Sequence, residues 1–485
     1  MSNPYEFVRY PGKPIPKTHP DRLATMAALY GLETQSIFNA RILEIGCCDG
    51  GNLISMAMSL PGSHFVGIDL TESDIAEAQE FAAALGISNV EFHCFDLTDL
   101  PGPFGQFDFI VSHGLYSWVP PLVREKLIAV IQACLAPRGV AYVSYNALPG
   151  GHFRLMIREM TLFHLKGTTE PAARLRRARE FLTFLKGAMI RNKQPEALLR
   201  QLDFTIRQPD YGLFHDELAD DYHPAYIQDF VNHANRYGLQ FLSEASYFVT
   251  RPEILGSDAA PLFAQVSEQL DPVSRAQYLD FMTCAFFHPT LLCHEGVELQ
   301  RPVTPERLKR FYFASPATVV PRDPEADPET ESFEGVQGSR ISSSSPFLGQ
   351  LMHAMIDVYP RSVHYRNLPG AESMPQELCG TLLALMNMGI VAPHIYSPDF
   401  CMTPGERPAA SPLARMQAAK SRRLTDLRHS AAEIEDALQL ALIPLLDGTR
   451  SRADLLAALP ENLLPDSASL EAALLSLGQS CLLVS

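Results

Sequence analysis

The sequence is poor in positive charge and has no long apolar run. Lys and Arg number 39 against 55 Asp and Glu, a formal net charge of −16, and such a surface repels a phosphate backbone. The charge therefore argues against nucleic acid as a partner. No apolar run reaches the ~20 residues of a membrane-spanning helix. The first 17 residues contain four prolines and no apolar core of an export signal, so we expect an unexported protein without a membrane span.

The sequence also lacks a CxxC motif, and it contains a single tryptophan. The nine cysteines are scattered without a CxxC pair, which favours neither a disulfide framework nor a zinc site. We expect a cytoplasmic protein without a bound metal, since adjacent thiols such as Cys47 and Cys48 rarely ligate one ion. Hydrophobic residues make up 46% of the 485 residues, enough for about three domains with their own cores.

Short β-branched runs alternate with helical patterns between residues 41 and 148. This alternation is typical of βαβ units that form a parallel sheet, so the sequence predicts an α/β, Rossmann-like first domain. The five predicted strands are Arg41–Ile45, His64–Ile68, Val90–Cys94, Phe107–Ser112 and Val140–Tyr145.

Changes of pattern along the chain predict five segments. Residues 1–155 and 214–250 form the core domain, and 156–213 a basic helical insertion. Three interpretations of its basic residues stay open: a solvated helix face, a dimer contact, or a binding site for an acidic partner. We expect a homodimer, because an exposed amphipathic insertion needs a partner for its apolar stripe. Residues 251–320 read as a mostly helical middle domain, the Pro- and acid-rich 321–345 as a linker or exposed loop, and 346–485 as a small winged-helix-like α+β domain.

A glycine-rich turn follows the first predicted strand in the segment RILEIGCCDGGNLI. Gly46 and Gly50, with the small Cys48 between them, form a turn at which a ligand can approach the main chain. Asn52 lies at the start of the next helix, whose N-terminus has unpaired N–H groups. This spacing occurs both in dinucleotide binders and in methyltransferases that use S-adenosylmethionine. Glu44 at the strand end favours the second class, because it can accept hydrogen bonds from an ammonium and would repel a pyrophosphate.

Two further acids stand at the ends of the next two strands. Asp69, followed by Leu70, offers paired acceptors for two ribose hydroxyls, and Asp96 with Leu97 suits an adenine amino group and its ring face. Each acid alone could be a loop cap or a surface charge. Three acids on consecutive strand ends predict a single binding pocket at the edge of the sheet.

These motifs resemble those of class I S-adenosylmethionine-dependent methyltransferases. The segments VSHGLYSWVP and SYNALPGGHFRLMIREM are similar to signatures of methyltransferases with a methyltransferase regulatory domain, among them rickettsial-type lysine methyltransferases that modify outer-membrane proteins. The resemblance implies a methyltransferase core, a helical insertion, a middle domain and a C-terminal domain. Cys48 departs from the Gly or Ala that many of these enzymes have, which puts close backbone approach there in doubt.

The resemblance extends to residues around the predicted pocket. Tyr10 and the Thr18-His19-Pro20 run resemble a segment that covers the cofactor in this family, although a disordered tail is the alternative. His113 is expected in the cofactor pocket or in a structural role. Tyr116, Trp118, Tyr145 and Asn146 are candidates for the acceptor site, with core packing as the alternative for the aromatic residues.

We therefore expect a protein lysine methyltransferase acting on proteins with exposed lysines. Its acceptor site should be dry, because an ordinary lysine must lose a proton before it can attack. A small-molecule O- or N-methyltransferase and a cofactor-binding regulator without turnover are the alternatives. An RNA methyltransferase is less attractive, given the charge.

Overall fold

A seven-stranded sheet forms the centre of the computed structural model, which describes residues 8–99, 104–321, 329–463 and 465–484. Its strands are β1 Arg41–Ile45, β2 His64–Asp69, β3 Val90–Cys94, β4 Phe107–Ser112, β5 Leu135–Asn146, β6 Leu239–Glu244 and β7 Phe287–His294. They lie in the order β3-β2-β1-β4-β5-β7-β6. The first five are parallel, and β7 is antiparallel to both β5 and β6. This confirms the predicted Rossmann-like fold.

Both faces of the sheet are buried, as is usual for parallel strands. Successive residues of β1 enter different cores: Ile42 packs on the face that also holds Leu23 and Ile54, and Leu43 on the face that holds Ile131. The flanking helices of this part of the chain are α1 Pro20–Leu29, α2 Gly51–Ser59, α3 Glu72–Ala84 and α4 Pro121–Cys134. The predicted strand Val140–Tyr145 is longer in the structure, because β5 begins immediately after α4.

A helical layer with its own small core follows β5. It consists of α5 Gly151–His164, α6 Pro171–Arg191, α7 Glu196–Arg207 and α8 Asp210–Gly212, and a π-helical turn, Leu213–Glu217, ends it. Leu182 and Leu202 are among its buried apolar residues. The chain then returns to the sheet through α9 Ile227–Asn235.

Several arginines of this insertion are engaged within it. Arg174 donates to the carbonyl of Leu218 at 2.9 Å, and Arg179 donates to the carbonyl of Gln208 at 3.0 Å. Part of the predicted basic surface therefore closes helix ends and loops of the insertion, where cations satisfy unpaired carbonyl groups.

The predicted middle domain is wrong in one respect. Helices α10 Gly256–Ser267 and α11 Pro272–Thr283 lie in it, but β7 belongs to the core sheet, where it pairs with β5 from Phe287 to Leu292. The core domain therefore extends to His294, beyond the predicted end at residue 250. A fully buried strand is a continuous apolar run, and its periodicity does not distinguish it from a buried helix.

A second group of elements follows the core domain. It contains β8 Tyr312–Ala314, β9 Thr318–Val319, β10 Glu331–Glu334, β11 Arg340–Ser343, α12 Pro346–Ile356, β12 Val363–His364, α13 Pro375–Asn387 and β13 Ala392–His394. The predicted linker 321–345 thus includes the antiparallel pair β10 and β11, while residues 322–328 lie outside the described residues. Leu351 and Leu382 share a core with Leu23 of α1.

The C-terminal domain has a separate core. Its elements are α14 Pro412–Ala418, β14 Arg423–Thr425, β15 Ala431–Glu433, α15 Ala437–Leu442, α16 Arg452–Ala458 and α17 Ser467–Gln479. Its buried cluster begins at Ala410 and extends to Leu483, whereas α12 and α13 pack with the rest of the chain. The predicted start of this domain at residue 346 is therefore too early. Within the described parts of the chain, no helix combines the length and apolar character needed to span a membrane.

Candidate active site

A cavity of about 1000 Å³ lies at the carboxyl edge of the parallel strands, where open α/β sheets bind their ligands. Residues from the ends of β1, β2, β3, β4 and β5 line it, together with residues from the segment 10–15 and from the loop between α11 and β7. The structure brings together these sequence-predicted residues: Tyr10, Glu44, Gly46, Cys48, Asn52, Asp69, Leu70, Asp96, Leu97, His113, Trp118 and Asn146.

Glu44, at the end of β1, is buried in the wall of the cavity. Its Oε1 accepts a hydrogen bond from Asn52 Nδ2 at 2.7 Å. Its Oε2 is buried and has no hydrogen-bond partner among the described residues. Burial raises the pKa of Glu44 to about 8. A buried, unpaired carboxylate oxygen is costly unless a ligand supplies a donor, so this atom fits a positively charged group in the cavity.

The turn after β1 brings the main chain to the cavity. Gly46 has φ +82°, and a Cβ built there would have no neighbour closer than 3.8 Å, so this position leaves open space for a ligand. Cys48 has φ +48°, and its N–H donates to Asp69 Oδ2 at 3.0 Å. The side chain of Cys48 therefore does not prevent the left-handed turn at this position, where close backbone approach was in doubt.

The two aspartates at the ends of β2 and β3 are held by their own loops. Asp69 Oδ1 accepts the N–H of Thr71 at 2.9 Å while Oδ2 accepts that of Cys48. Asp96 Oδ1 accepts from both the N–H and the hydroxyl of Thr98 at 2.8 Å. Each carboxylate has about four acceptor positions, so both keep capacity for ligand hydroxyl or amino groups.

Exposed apolar side chains stand beside these aspartates. Leu70 is 58% exposed and Phe95 is 42% exposed, and both line the cavity with Leu97. Exposed apolar groups in a concave site usually mark a ligand surface. Sequence reasoning missed Phe95, although its position directly before Asp96 was a usable signal.

Residues 9–15 lie along the cavity and are fastened at several points. The N–H of Gly12 donates to Asp49 Oδ2 at 3.0 Å, and the N–H of Ile15 donates to Asn52 Oδ1 at 2.9 Å. The ring of Tyr10 packs edge-on against Tyr211, with centroids 5.2 Å apart. The described part of the N-terminal segment is thus an ordered wall of the cavity.

Three predicted cofactor residues do not line the cavity. The hydroxyl of Thr18 accepts a hydrogen bond from Asn52 Nδ2 at 3.0 Å. Thr18 therefore contacts a residue of the cavity wall but does not line the cavity itself. His19 Nδ1 accepts the N–H of Asp21 at 3.1 Å and caps α1; burial lowers the pKa of His19 to about 4. At Gly50 an added Cβ would lie 2.7 Å from the ring of Phe92, so this glycine is required for packing.

His113 lines the cavity at the end of β4. Its Nδ1 is 2.9 Å from the hydroxyl of Tyr142, and the two rings are stacked. Burial lowers the pKa of His113 to about 4. The imidazole is therefore neutral at physiological pH and adds no positive charge that would repel a cationic ligand.

Trp118 belongs to a cluster of aromatic rings and arginines in another part of the cavity. The ring of Trp118 is 4.8 Å from that of Tyr222, and the guanidinium of Arg154 lies 4.9 Å from the centre of Trp118. Arg154 also pairs with Glu217 at 2.8 Å and donates to Asn146 Oδ1 at 3.1 Å. These contacts fix Trp118 and Asn146 at the cavity wall.

The structure does not bring Tyr116 and Tyr145 to the cavity. The hydroxyl of Tyr116 is 2.8 Å from His233 Nδ1, and the ring of Tyr145 stacks on Phe230 at 4.2 Å. Both tyrosines are buried with α9. Both residues were predicted for the acceptor site, and the structure places them in this core instead of at the cavity.

The sequence analysis did not identify several residues that line the part of the cavity near Trp118. Phe286 comes from the loop before β7, Phe287 is the first residue of β7, and Asp216 comes from the turn that ends the insertion. Burial raises the pKa of Asp216 to about 6. These residues lie 70 to 140 positions beyond the strand motifs, and no local spacing connects them to the pocket.

The fold and this cavity define a class I S-adenosylmethionine-dependent methyltransferase. Three family matches follow one another along the chain: a methyltransferase domain at residues 42–139, a predicted methyltransferase regulatory domain at 209–294, and a PKMT C-terminal winged helix domain at 406–473. The chain belongs to the S-adenosylmethionine-dependent methyltransferases that carry a methyltransferase regulatory domain.

Similar proteins occur in Rickettsia. The chain is 35% identical over 361 residues to the uncharacterized protein RP789 of Rickettsia prowazekii, covering 72% of this chain and 64% of RP789. It is 32% identical over 234 residues to RP028 of the same organism, covering 48% of this chain and 94% of RP028. The solved structure of PKMT2 from Rickettsia typhi in complex with AdoHcy is 26% identical, with a TM-score of 0.83, and the match covers 98% of this chain and 100% of that one.

Proposed function

We propose that this chain is a protein lysine N-methyltransferase. The observation that carries the proposal is the similarity to PKMT2 along 98% of the chain. It includes the winged helix domain at residues 406–473 that is named for the PKMT family. The chain spans 64% of the length of RP789, and the lining of the cavity gives further support to the proposal.

The residues at the ends of β1, β2 and β3 fit the methyl donor. Glu44 Oε2, buried without a protein partner, would accept from the ammonium of its amino-acid part. Asp69 would accept from the ribose hydroxyls, and Asp96 from the adenine amino group, with Leu97 and Phe95 against the ring. When bound, S-adenosylmethionine supplies an electrophilic methyl group on a sulfonium.

The remaining part of the cavity suits an amine that has lost its proton. A lysine with a pKa of about 10.4 must spend about 4 to 5 kcal/mol to be neutral at pH 7. The apolar surfaces of Trp118, Phe153, Phe286 and Phe287 reduce this requirement, because they disfavour an ammonium more than an amine. Asp216, which is ionised above about pH 6, would attract the charged lysine before it enters.

The proposed substrate is a protein with exposed lysines. The net charge of −16 favours encounter with Lys-rich segments. A cytoplasmic location stays a prediction, and the nine cysteines, which are all free, support it.

We also retain the predicted homodimer. Phe163 is 82% exposed and Phe184 is 71% exposed on the helical insertion, and a second copy would cover them. Light scattering of the purified protein should give twice the chain mass. A monomer at high concentration would contradict this assignment.

The lysine assignment can be tested with tritium-labelled S-adenosylmethionine and a purified bacterial outer-membrane protein fraction. We expect label on lysine side chains, located by peptide mass spectrometry, and none on the same proteins after chemical acetylation of their lysines. An Asp69→Ala variant controls for label carried by a contaminating enzyme. Transfer to hydroxyl groups or to small molecules alone would refute lysine specificity.

A further inference from the structure

A histidine of the C-terminal domain, His429, contacts Asn52, which lines the cofactor part of the cavity. His429 lies in the turn between β14 and β15, is 3% exposed, and packs against α2 of the core domain. Its Nε2 is 2.9 Å from Asn52 Oδ1, and its Nδ1 is 2.9 Å from Ser55 Oγ.

The hydrogen-bond partners determine which ring nitrogen carries the proton. Asn52 Oδ1 accepts the N–H of Ile15, and Asn52 Nδ2 donates to Glu44 Oε1, so the orientation of this amide is defined. The N–H of Ile15 also lies 3.3 Å from His429 Nε2, but it donates to Asn52 Oδ1 at the shorter distance of 2.9 Å. An amide oxygen only accepts, hence Nε2 of His429 donates to Asn52 Oδ1, and Nδ1 accepts from the Ser55 hydroxyl. The ring is neutral, and burial lowers its pKa.

The turn is shaped to present this ring. His429 has φ +58°, a left-handed conformation that is uncommon for residues other than glycine. Asp426 Oδ1 holds it by accepting the N–H groups of Arg428 at 2.9 Å and Ser430 at 2.7 Å. Strained backbone of this kind persists where the surroundings enforce it, often at functional sites.

We propose that His429 is a positioning residue of the cofactor site: it orients the Asn52 amide, which in turn holds the Glu44 carboxylate toward the amino-acid part of the methyl donor. The C-terminal domain thereby completes a site whose other residues lie in the core domain. This inference rests on the proposed function, since it assigns Glu44 to the ammonium of the donor.

The test compares two ligands that differ only beyond the sulfur. S-adenosylhomocysteine contains the amino-acid part, whereas 5′-methylthioadenosine keeps the nucleoside and replaces that part by a methyl group. Calorimetry should show about tenfold weaker binding of S-adenosylhomocysteine to His429→Ala, the effect of one lost hydrogen bond. Binding of 5′-methylthioadenosine should be unchanged.

A conservative variant and a matched control separate positioning from folding. His429→Gln keeps a side-chain N–H donor and should recover most of the affinity for S-adenosylhomocysteine. His353→Ala removes a histidine of α12 that pairs with Glu331 at 3.3 Å and should bind both ligands as the wild type does. Circular dichroism of each variant confirms the folded state.

Three results would overturn the inference. Equal loss for both ligands in His429→Ala would indicate general loosening of the domain contact. Unchanged binding of S-adenosylhomocysteine, or no recovery in His429→Gln, would remove the positioning role. Wild-type protein that binds neither ligand would instead refute the proposed function, so the two failures are distinguishable.

Discussion

Glu44 allows a quantitative prediction about ligand binding and pH. With a pKa of about 8, the ionised fraction of this carboxyl rises from about 1% at pH 6 to about one half at pH 8. An ammonium ligand needs the ionised form. Wild-type affinity for S-adenosylhomocysteine should therefore increase about 50-fold between pH 6 and pH 8, with proton release on binding.

The variant Glu44→Gln removes this titration. At pH 8 it should bind S-adenosylhomocysteine about tenfold to a hundredfold more weakly than the wild type, because a hydrogen bond to a charged group contributes roughly 1.5 to 3 kcal/mol. At pH 6 the difference should almost disappear, because ionising Glu44 there costs the wild type about 3 kcal/mol.

Calorimetry at pH 6, 7 and 8 measures both effects, and repeating it in buffers with different ionisation enthalpies counts the released protons. Binding of 5′-methylthioadenosine, which has no ammonium, serves as the control and should not strengthen over this range. A ratio of wild-type to Glu44→Gln affinity that is the same at pH 6 and pH 8 would refute the reasoning.

The other predictions concern the ribose site and the arginine cluster. Asp69→Ala should weaken S-adenosylhomocysteine and 5′-methylthioadenosine about equally in calorimetry, because both contain the ribose; selective loss of one would contradict its role. Arg154→Met removes the salt-bridge partner of the buried Glu217 and leaves it only the more distant charge of Arg158, so it should lower the free energy of unfolding in urea by about 3 kcal/mol. Tyr145→Phe should cost about 1 kcal/mol of stability and leave the methyl-transfer rate unchanged, whereas Trp118→Ala should raise the KM for the protein substrate. A normal KM in Trp118→Ala would exclude it from the acceptor site.

The cofactor part of the cavity was largely predictable from sequence. Glu44, Asp69 and Asp96 end three successive strands, and parallel strands bring their carboxyl ends to one edge. Each of these acids directly follows its own strand in the sequence, so a short segment is enough to predict its position. The predicted residues of this part therefore lie together in the structure with few exceptions, such as His19, whose ring caps a helix.

The acceptor part was less predictable, because it is assembled from distant segments. Tyr145 and Asn146 are neighbours in β5, and successive side chains of a strand point to opposite faces. Only one of the two could line the cavity, so this alternation could have excluded Tyr145 once Asn146 was chosen. No comparable rule connects Asp216 or Phe286 to Trp118, since their proximity depends on the path of the insertion and of β7.

The position of β7 between β5 and β6 affects how the chain can fold during synthesis. β6 ends at Glu244 and β7 ends at His294. Because β7 lies between β5 and β6, about 50 residues must leave the ribosome after β6 before β7 can pair with either strand. Until then, β5 is an open edge on a nascent sheet, and such edges pair readily with other chains. A messenger truncated between these two strands would yield an aggregation-prone fragment, which the cell would have to degrade or hold with chaperones.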